Sequence, residues 1–338
     1  MSNQPPIEVP QGAIRLNTDS QKLEFYAQDR WHEMVTDSPN LDGGVRGLHG
    51  GGAASTINTI QYITISTQGN AIDFGDFPQR QYLTAATSSR TRGVWMGGYT
   101  NSPSSTYINS IQAVEMLSTG NGFDFGDLTQ TAGYNGITGN QTRAIRLGGT
   151  APVNPSTNVM DYVTIATTGD AVDYGDLVHK SVGGGGAFSD QTRGVINGQY
   201  NPYTAKCQYL TIAVGGITAE FGNLSQHTRF QGGCSNSTRG VNGGGYTPSS
   251  PNRTNAIEIC TIQTLGDYVD FGDLTSIRSH MAAASSPTRA VFFAGETPSK
   301  VNTMDYIQFA SKGDALDFGD LTGSYYTIGG TSNGHGGL

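Results

Sequence analysis

Charge is scarce in this chain. Only 14% of its residues are Asp, Glu, Lys or Arg, where an ordinary globular protein carries about a quarter. The balance is acidic, −8, and no run of Lys and Arg occurs. Nucleic-acid phosphates need clustered cations, so a nucleic-acid partner is not expected. Long apolar runs are missing too. None approaches the roughly 18 residues of a membrane helix, so membrane insertion is not expected. The opening MSNQPPIEVPQG has neither the basic nor the apolar region of a signal peptide. Export by that route is therefore not expected.

Cysteine is limited to Cys207, Cys234 and Cys260. An odd count without metal-type spacing makes a poor disulfide framework. Cys207 and Cys260 stand where other copies of the repeat described next carry Met, Ile or Val, and read as small buried apolar residues. The histidines at 32, 49, 179, 227, 280 and 335 share no close spacing, which disfavours a zinc site. No GxSxG elbow occurs. The expectation is no catalytic residue, no metal and no cofactor. Asn140-Gln-Thr matches a glycan acceptor, which means nothing without secretion.

What is abundant is glycine, 48 of 338 residues, with much Ser, Thr and Asn. Hydrophobic residues still make up 36%. Such a chain builds many short strands joined by tight turns. It also repeats. FGD or a close variant occurs at 74–76, 125–127, 174–176 (YGD), 221–223 (FGN), 271–273 and 318–320. A second motif keeps step: VRG at 45–47, TRG at 91–93, TRA at 142–144, TRG at 192–194, TRG at 238–240 and TRA at 288–290. A period near 50 residues sets the whole fold.

Each unit holds four strand-like pieces: a small polar strand, an apolar strand after the Arg, an alternating strand such as IQAVEML, and the aromatic FGD strand. Four short strands in about 50 residues describe one blade of a β-propeller. The order, with Gly97-Gly98, Gly148-Gly149, Gly244-Gly245 and a pair within Gly50-Gly51-Gly52, resembles a kelch repeat. Two copies are reduced to Asn197-Gly198 and Ala294-Gly295, and the kelch tryptophan is replaced by the FGD aromatic. Residues 41–338 are thus expected to form an all-β, six-bladed, kelch-like β-propeller. The chain enters at the apolar strand VRGLHGGG and ends after SYYTIGGTSN. A C-terminal strand is expected to complete blade one and remove exposed edges.

FGD beside a second acidic residue suggests a kinase turn or a calcium loop. A kinase needs a glycine loop, a strand lysine and a catalytic loop, none of which is present. Calcium takes six to eight oxygens, more than Asp73 and Asp76 provide, and the fourth copy is Glu220 and Asn223. The motif reads as architecture. Arg46, Arg92, Arg143, Arg193, Arg239 and Arg289 keep step with Asp76, Asp127, Asp176, Asn223, Asp273 and Asp320, so Arg–Asp contacts are expected, with Asn223 the weakest.

From each FGD aromatic to the next Arg the spacing is 18 or 19 residues, whereas from Arg to aromatic it ranges from 28 to 33. The slack lies in the loop after the glycine pair. Variable loops on a rigid scaffold are where binding usually sits. Tyr99, Tyr107, Tyr200, Tyr203, Tyr246 and Arg253 are the candidate contacts, because Tyr and Arg combine apolar area with hydrogen bonding. The alternative is loops that drift without a partner.

Residues 1–40 differ. AIRLN, KLEFY and RWHEM read as a three-stranded meander with Ile14, Leu16, Leu23, Phe25 and Trp31 on one side. It is too small to be stable alone. GAIRLNT…LEFY…W resembles a short module of bacteriophage tail and fibre proteins, and FGD-repeat propellers resemble structural proteins of marine phages and cyanophages. The resemblance implies a multi-copy or homo-oligomeric virion protein made in the host cytoplasm: a tail, fibre, neck or capsid-surface component. Its implied partners are other virion proteins through the N-terminal module, and a host-surface glycan or protein. The alternatives are a carbohydrate-binding or carbohydrate-active propeller and a kelch-like interaction adaptor.

Overall fold

The computed structural model describes residues 9–17, 22–33, 45–53, 57–152, 154–181, 186–198, 204–326 and 329–338. The protein is all-β, with no helix among the described residues. Two compact units emerge, Met1–Gly43 and Gly44–Leu338.

The first unit holds the strands Ile14–Asn17, Lys22–Ala27 and Arg30–Glu33 in one antiparallel sheet. Register places Ile14 opposite Phe25 and Leu16 opposite Leu23, whose side chain lies outside the described residues. Trp31 departs from the expected apolar side. It pairs with Tyr26, while Phe25 pairs with His32. Side chains alternate along a strand, so Trp31 shares the face of Arg15 and Glu24 instead. The Arg15 guanidinium lies 4.1 Å from the Trp31 ring and 2.8 Å from Glu24. Ile14 and Leu16 remain 61% and 60% exposed.

The second unit is built from six antiparallel sheets of four principal strands. Sheet 2 runs Ala85–Ser88, Arg92–Thr100, Thr106–Glu115 and Phe123–Asp127. Sheet 3 runs Gly136–Gly139, Arg143–Ala151, Asn154–Thr164 and Val172–Ser181. Sheet 4 runs Phe188–Ser189, Arg193–Ile196, Lys206–Thr211 and Ala219–Asn223. Sheet 5 runs Gly232–Ser235, Arg239–Gly243, Thr254–Thr261 and Val269–Arg278, and sheet 6 Ala282–Ser285, Arg289–Phe293, Ser299–Gln308 and Leu316–Tyr325. Sheet 1 takes its second to fourth strands from Arg46–Gly50, Thr59–Thr64 and Ile72–Asp76. Its first strand, Gly330–Ser332, comes from the far end of the chain and pairs with Gly47–His49.

Each sheet is tied to the next through its FGD strand. The carbonyls of Phe74 and Asp76 accept from the amides of Gly120 and Gly122 in sheet 2. The same pair of bonds joins sheet 2 to 3, sheet 4 to 5 and sheet 5 to 6, while Thr218 N donates to Asp176 O between sheets 3 and 4. Gly69 and Ala71 of sheet 1 donate to Phe318 and Asp320 of sheet 6, so the sixth sheet is joined to the first in the same manner. The motif glycine makes this approach possible. A Cβ on Gly75 would lie 2.3 Å from Gly120 O, and φ there is +149°. Only glycine adopts that backbone without strain.

The FGD aromatics are buried between neighbouring sheets. Phe125 packs with Ile165 and Ala171 of sheet 3, and Phe318 with Ile63 and Ile65 of sheet 1. Cys207, Cys234 and Cys260 are buried and free.

The repeated arginines make a different contact from the one expected. Arg46 Nη1 donates to Met116 O, Arg92 to Ile165 O, Arg143 to Ile212 O, Arg193 to Ile262 O, Arg239 to Phe309 O and Arg289 to Ile65 O. Each guanidinium thus grips the third strand's end in the following sheet. Five also lie over a ring of their own sheet, such as Arg193 at 4.4 Å from Tyr209. The FGD carboxylates cannot reach them. Arg46 pairs with Thr64 and Asp76 with Thr59, opposite ends of a strand that spans about 17 Å. Asp76, Asp127, Asp176, Asp273 and Asp320 are exposed, without a side-chain partner among the described residues. Asn223 is the best bonded of the six: its amide and its Nδ2 both donate to Asp267 Oδ1, each at 2.9 Å.

A second lattice was not expected. The middle of each third strand carries a buried polar side chain: Gln61, Gln112, Asp161, Gln208, Glu258 and Asp305. Each bonds the segment arriving from the previous sheet, at Thr322, Gln79, Thr129, His179, Ser225 and Thr275 respectively. In two sheets the residue also neutralises a fully buried arginine, Arg146 with Asp161 at 2.5 Å and Arg278 with Asp305. Leaving such a charge alone costs about 3–5 kcal/mol. Asp161→Ala should therefore lower unfolding free energy by about that much in urea denaturation. A loss below about 1 kcal/mol would show that Arg146 finds another partner. Gly319→Ala, whose Cβ would lie 2.6 Å from Gly69 O, should destabilise the sheet 6–sheet 1 junction and lower the melting temperature.

Candidate functional site

Five first strands, and Ala187 just before the first strand of sheet 4, line one narrow cavity of about 30 Å³. Ala86, Ile137, Ala187, Gly233, Ala283 and Gly330 contribute one lining residue from each sheet. These are mostly Ala and Gly, which lets six backbones converge.

The strands leave the cavity through serines. Ser88 Oγ donates to Ser332 O, Ser332 to Ser285 O, Ser285 to Ser235 O, Ser235 to Ser189 O and Ser189 to Gly139 O. Gly139 has no hydroxyl to continue the series, since a Cβ there would lie 2.4 Å from Arg143 O. The last carbonyl, Ser88 O, is met by His335 Nε2 at 2.8 Å.

The strands enter the cavity through aromatic residues. The positions ten and nine before Arg92, Arg143, Arg239 and Arg289 supply Tyr82 and Leu83, Tyr134, Arg229 and Phe230, and Ser279 and His280; Tyr326 takes the corresponding place before Gly330–Ser332. Leu83, Tyr134, Phe230 and His280 all hold φ between +54° and +59°. Non-glycine residues avoid this region at a cost of about 1–3 kcal/mol each, and such strain gathers at functional sites. The backbone is held there by bonds between sheets, Tyr134 N to Leu83 O and His280 N to Phe230 O.

Seven rings form an unbroken series. Tyr107 meets Tyr99 (5.1 Å between centroids), Tyr99 meets Tyr82 (5.3 Å), Tyr82 meets Tyr326 (6.4 Å) and Tyr326 meets His280 (5.4 Å). His280 then stacks on Phe230 at 4.0 Å, and Phe230 meets Tyr134 at 5.3 Å. Charged groups flank this crown. Arg229 lies over Phe230 and Tyr246, and Lys300 over Tyr326. Arg253 donates to Glu296 at 2.5 Å and to Ser279 Oγ at 3.2 Å.

Of the expected contact residues, Tyr99 and Tyr107 pack together in the crown. Tyr246 and Arg253 bridge each other at its edge beside Arg229. Tyr200 and Tyr203 lie outside the described residues. Loop length pointed to the four that are placed. Tyr82, Tyr134, Phe230, His280 and Tyr326 were missed, because they sit in the segment of constant spacing. Residue type at a fixed distance before each repeat arginine was the available signal.

Burial first, then the neighbouring phenols, pushes Tyr134 up to about 12. Burial likewise raises Tyr82, Tyr107 and Tyr326. These phenols stay protonated. Burial also pushes the three cysteine thiols up, so none is a thiolate at neutral pH. Among the described residues, no group of three or more His, Cys, Asp or Glu is placed to hold a metal. No helix is long and apolar enough to cross a membrane among the described residues. No protein-family model matches this sequence, and no curated protein matches it either.

Burial lowers His49, His280 and His335 to about 4. Their unfolded counterparts titrate near 6.5. Between these values the unfolded chain binds more protons, so stability is full above about pH 6.5 and is lost as pH falls toward 4. Urea unfolding at pH 7 and pH 5 should show a loss of several kcal/mol at the lower pH, up to about 1.4 kcal/mol per histidine and pH unit. His49→Leu should flatten this dependence; an unchanged slope would show that His49 is not buried neutral.

Proposed function

We propose that residues 44–338 form a six-bladed, kelch-like β-propeller closed by Gly330–Ser332, and that the chain is a bacteriophage virion structural protein that works by binding. The propeller reading is supported by the junction of sheet 6 to sheet 1, which repeats the hydrogen bonds made at the other sheets. It is supported too by one cavity lined from all six sheets. Averaged end-on electron micrographs should show six lobes; five or seven would refute it.

One observation carries the binding reading: seven contacting rings, three of them (Tyr134, Phe230 and His280) on left-handed backbone, presented by a repeated scaffold. The virion assignment is supported by the resemblance of GAIRLNT…LEFY…W to phage tail and fibre modules. The exposed Ile14 and Leu16 give that module an apolar face for a particle protein. Deleting residues 1–40 should leave a folded unit that no longer enters particles, scored by immunoblot of purified virions. Retained incorporation would overturn the docking role.

A further inference from the structure

We propose that the aromatic crown binds a carboxylated oligosaccharide. The proposal rests on the binding reading above and names its ligand. Sugar rings present a face of polarised C–H groups, and the π-faces of Tyr82, Tyr99 and Tyr326 carry complementary negative charge. The same tyrosines carry hydroxyls. Among the described residues, the phenols of Tyr82, Tyr99, Tyr107, Tyr134 and Tyr326 have no hydrogen-bond partner, and all five side chains are half-buried. A purely apolar ligand would cover these groups and leave them unsatisfied. A saccharide supplies hydroxyls to meet them.

Charge selects within that class. The chain as a whole is acidic, −8, yet Arg229, Arg253 and Lys300 flank the crown. Glu296 is engaged by Arg253, while Lys300 has no carboxylate partner among the described residues. Lys300 lies over Tyr326, at 5.1 Å from its ring centre. A sugar stacked on Tyr326 would therefore meet an ammonium at its rim. The crown offers too few cations for a phosphate-rich polyanion, and a uronic acid fits its balance.

Isothermal titration of the full chain with hexagalacturonate, cellohexaose and hexaglutamate tests this. Hexagalacturonate should bind on the order of tenfold tighter than cellohexaose at low salt, and the preference should shrink as salt screens it. Lys300→Gln should bring the two sugars to within about threefold of each other. Tyr82→Ala and Tyr326→Ala should weaken both on the order of tenfold. Circular dichroism checks that these variants fold; if Tyr82→Ala does not, Tyr82→Phe should still weaken binding about threefold by losing the hydroxyl. The proposal fails if no sugar binds, if both sugars bind equally, or if the variants bind like the parent. It also fails if hexaglutamate binds as tightly as hexagalacturonate, which would mark a general anion patch. Absent sugar binding together with loss of incorporation on deleting residues 1–40 would overturn this proposal and leave the virion reading standing.

Discussion

The second unit depends on a backbone approach between neighbouring sheets at the FGD glycine. Two amides of one sheet reach two carbonyls of the sheet before it, at a distance that excludes any side chain on the glycine. Everything else follows from that closeness. The aromatic before the glycine is trapped between the sheets. The exposed edge of each fourth strand is partly covered by its neighbour's turn, which limits edge pairing with other chains. The repeat arginine, at the other end of the third strand, fixes the same pair of sheets a second time through carbonyls. Neighbouring sheets are thus held twice, once by the glycine approach and once by the arginine.

Much of this was legible in the sequence because it repeats. Six copies of FGD and six of the Arg motif reveal the unit, its four strands and the pairing of the last strand with the first sheet. The partners of the motif were not legible. Arg and Asp keep step in sequence, yet a third strand's length separates them. Two fixed points of a lattice share a period without touching. Carbonyl acceptors leave no mark on composition, so the partner of Arg46 at Met116 O could not be read. The buried polar series from Gln61 to Asp305 was hidden for a related reason. It mixes Gln, Glu and Asp, and a polar residue in an alternating strand reads as facing solvent. In the meander, Trp31 was misplaced because its face depends on how many residues the preceding turn consumes.

The crown shows the limit of reasoning from loop length. Length variation drew attention to Tyr99, Tyr107, Tyr246 and Arg253. The larger part of the cluster comes from positions at constant spacing, where the backbone is fixed and the side chain varies. The left-handed conformation at Leu83, Tyr134, Phe230 and His280 turns these residues across the entrance of the first strands. A rigid frame that changes only its rings can alter what it binds without altering how it folds.

The late arrival of Gly330–Ser332 also orders events during synthesis. On the ribosome, sheets 2 to 6 can form from contiguous chain as it emerges. Arg46–Gly50 must wait with one edge unpaired until some 280 further residues have been made, and such long-range pairing is intrinsically slow. During that interval its apolar strand is the part of the molecule open to a wrong partner. Many copies made at once would meet this hazard between neighbouring nascent chains, and the few charges of the sequence offer little repulsion to prevent it.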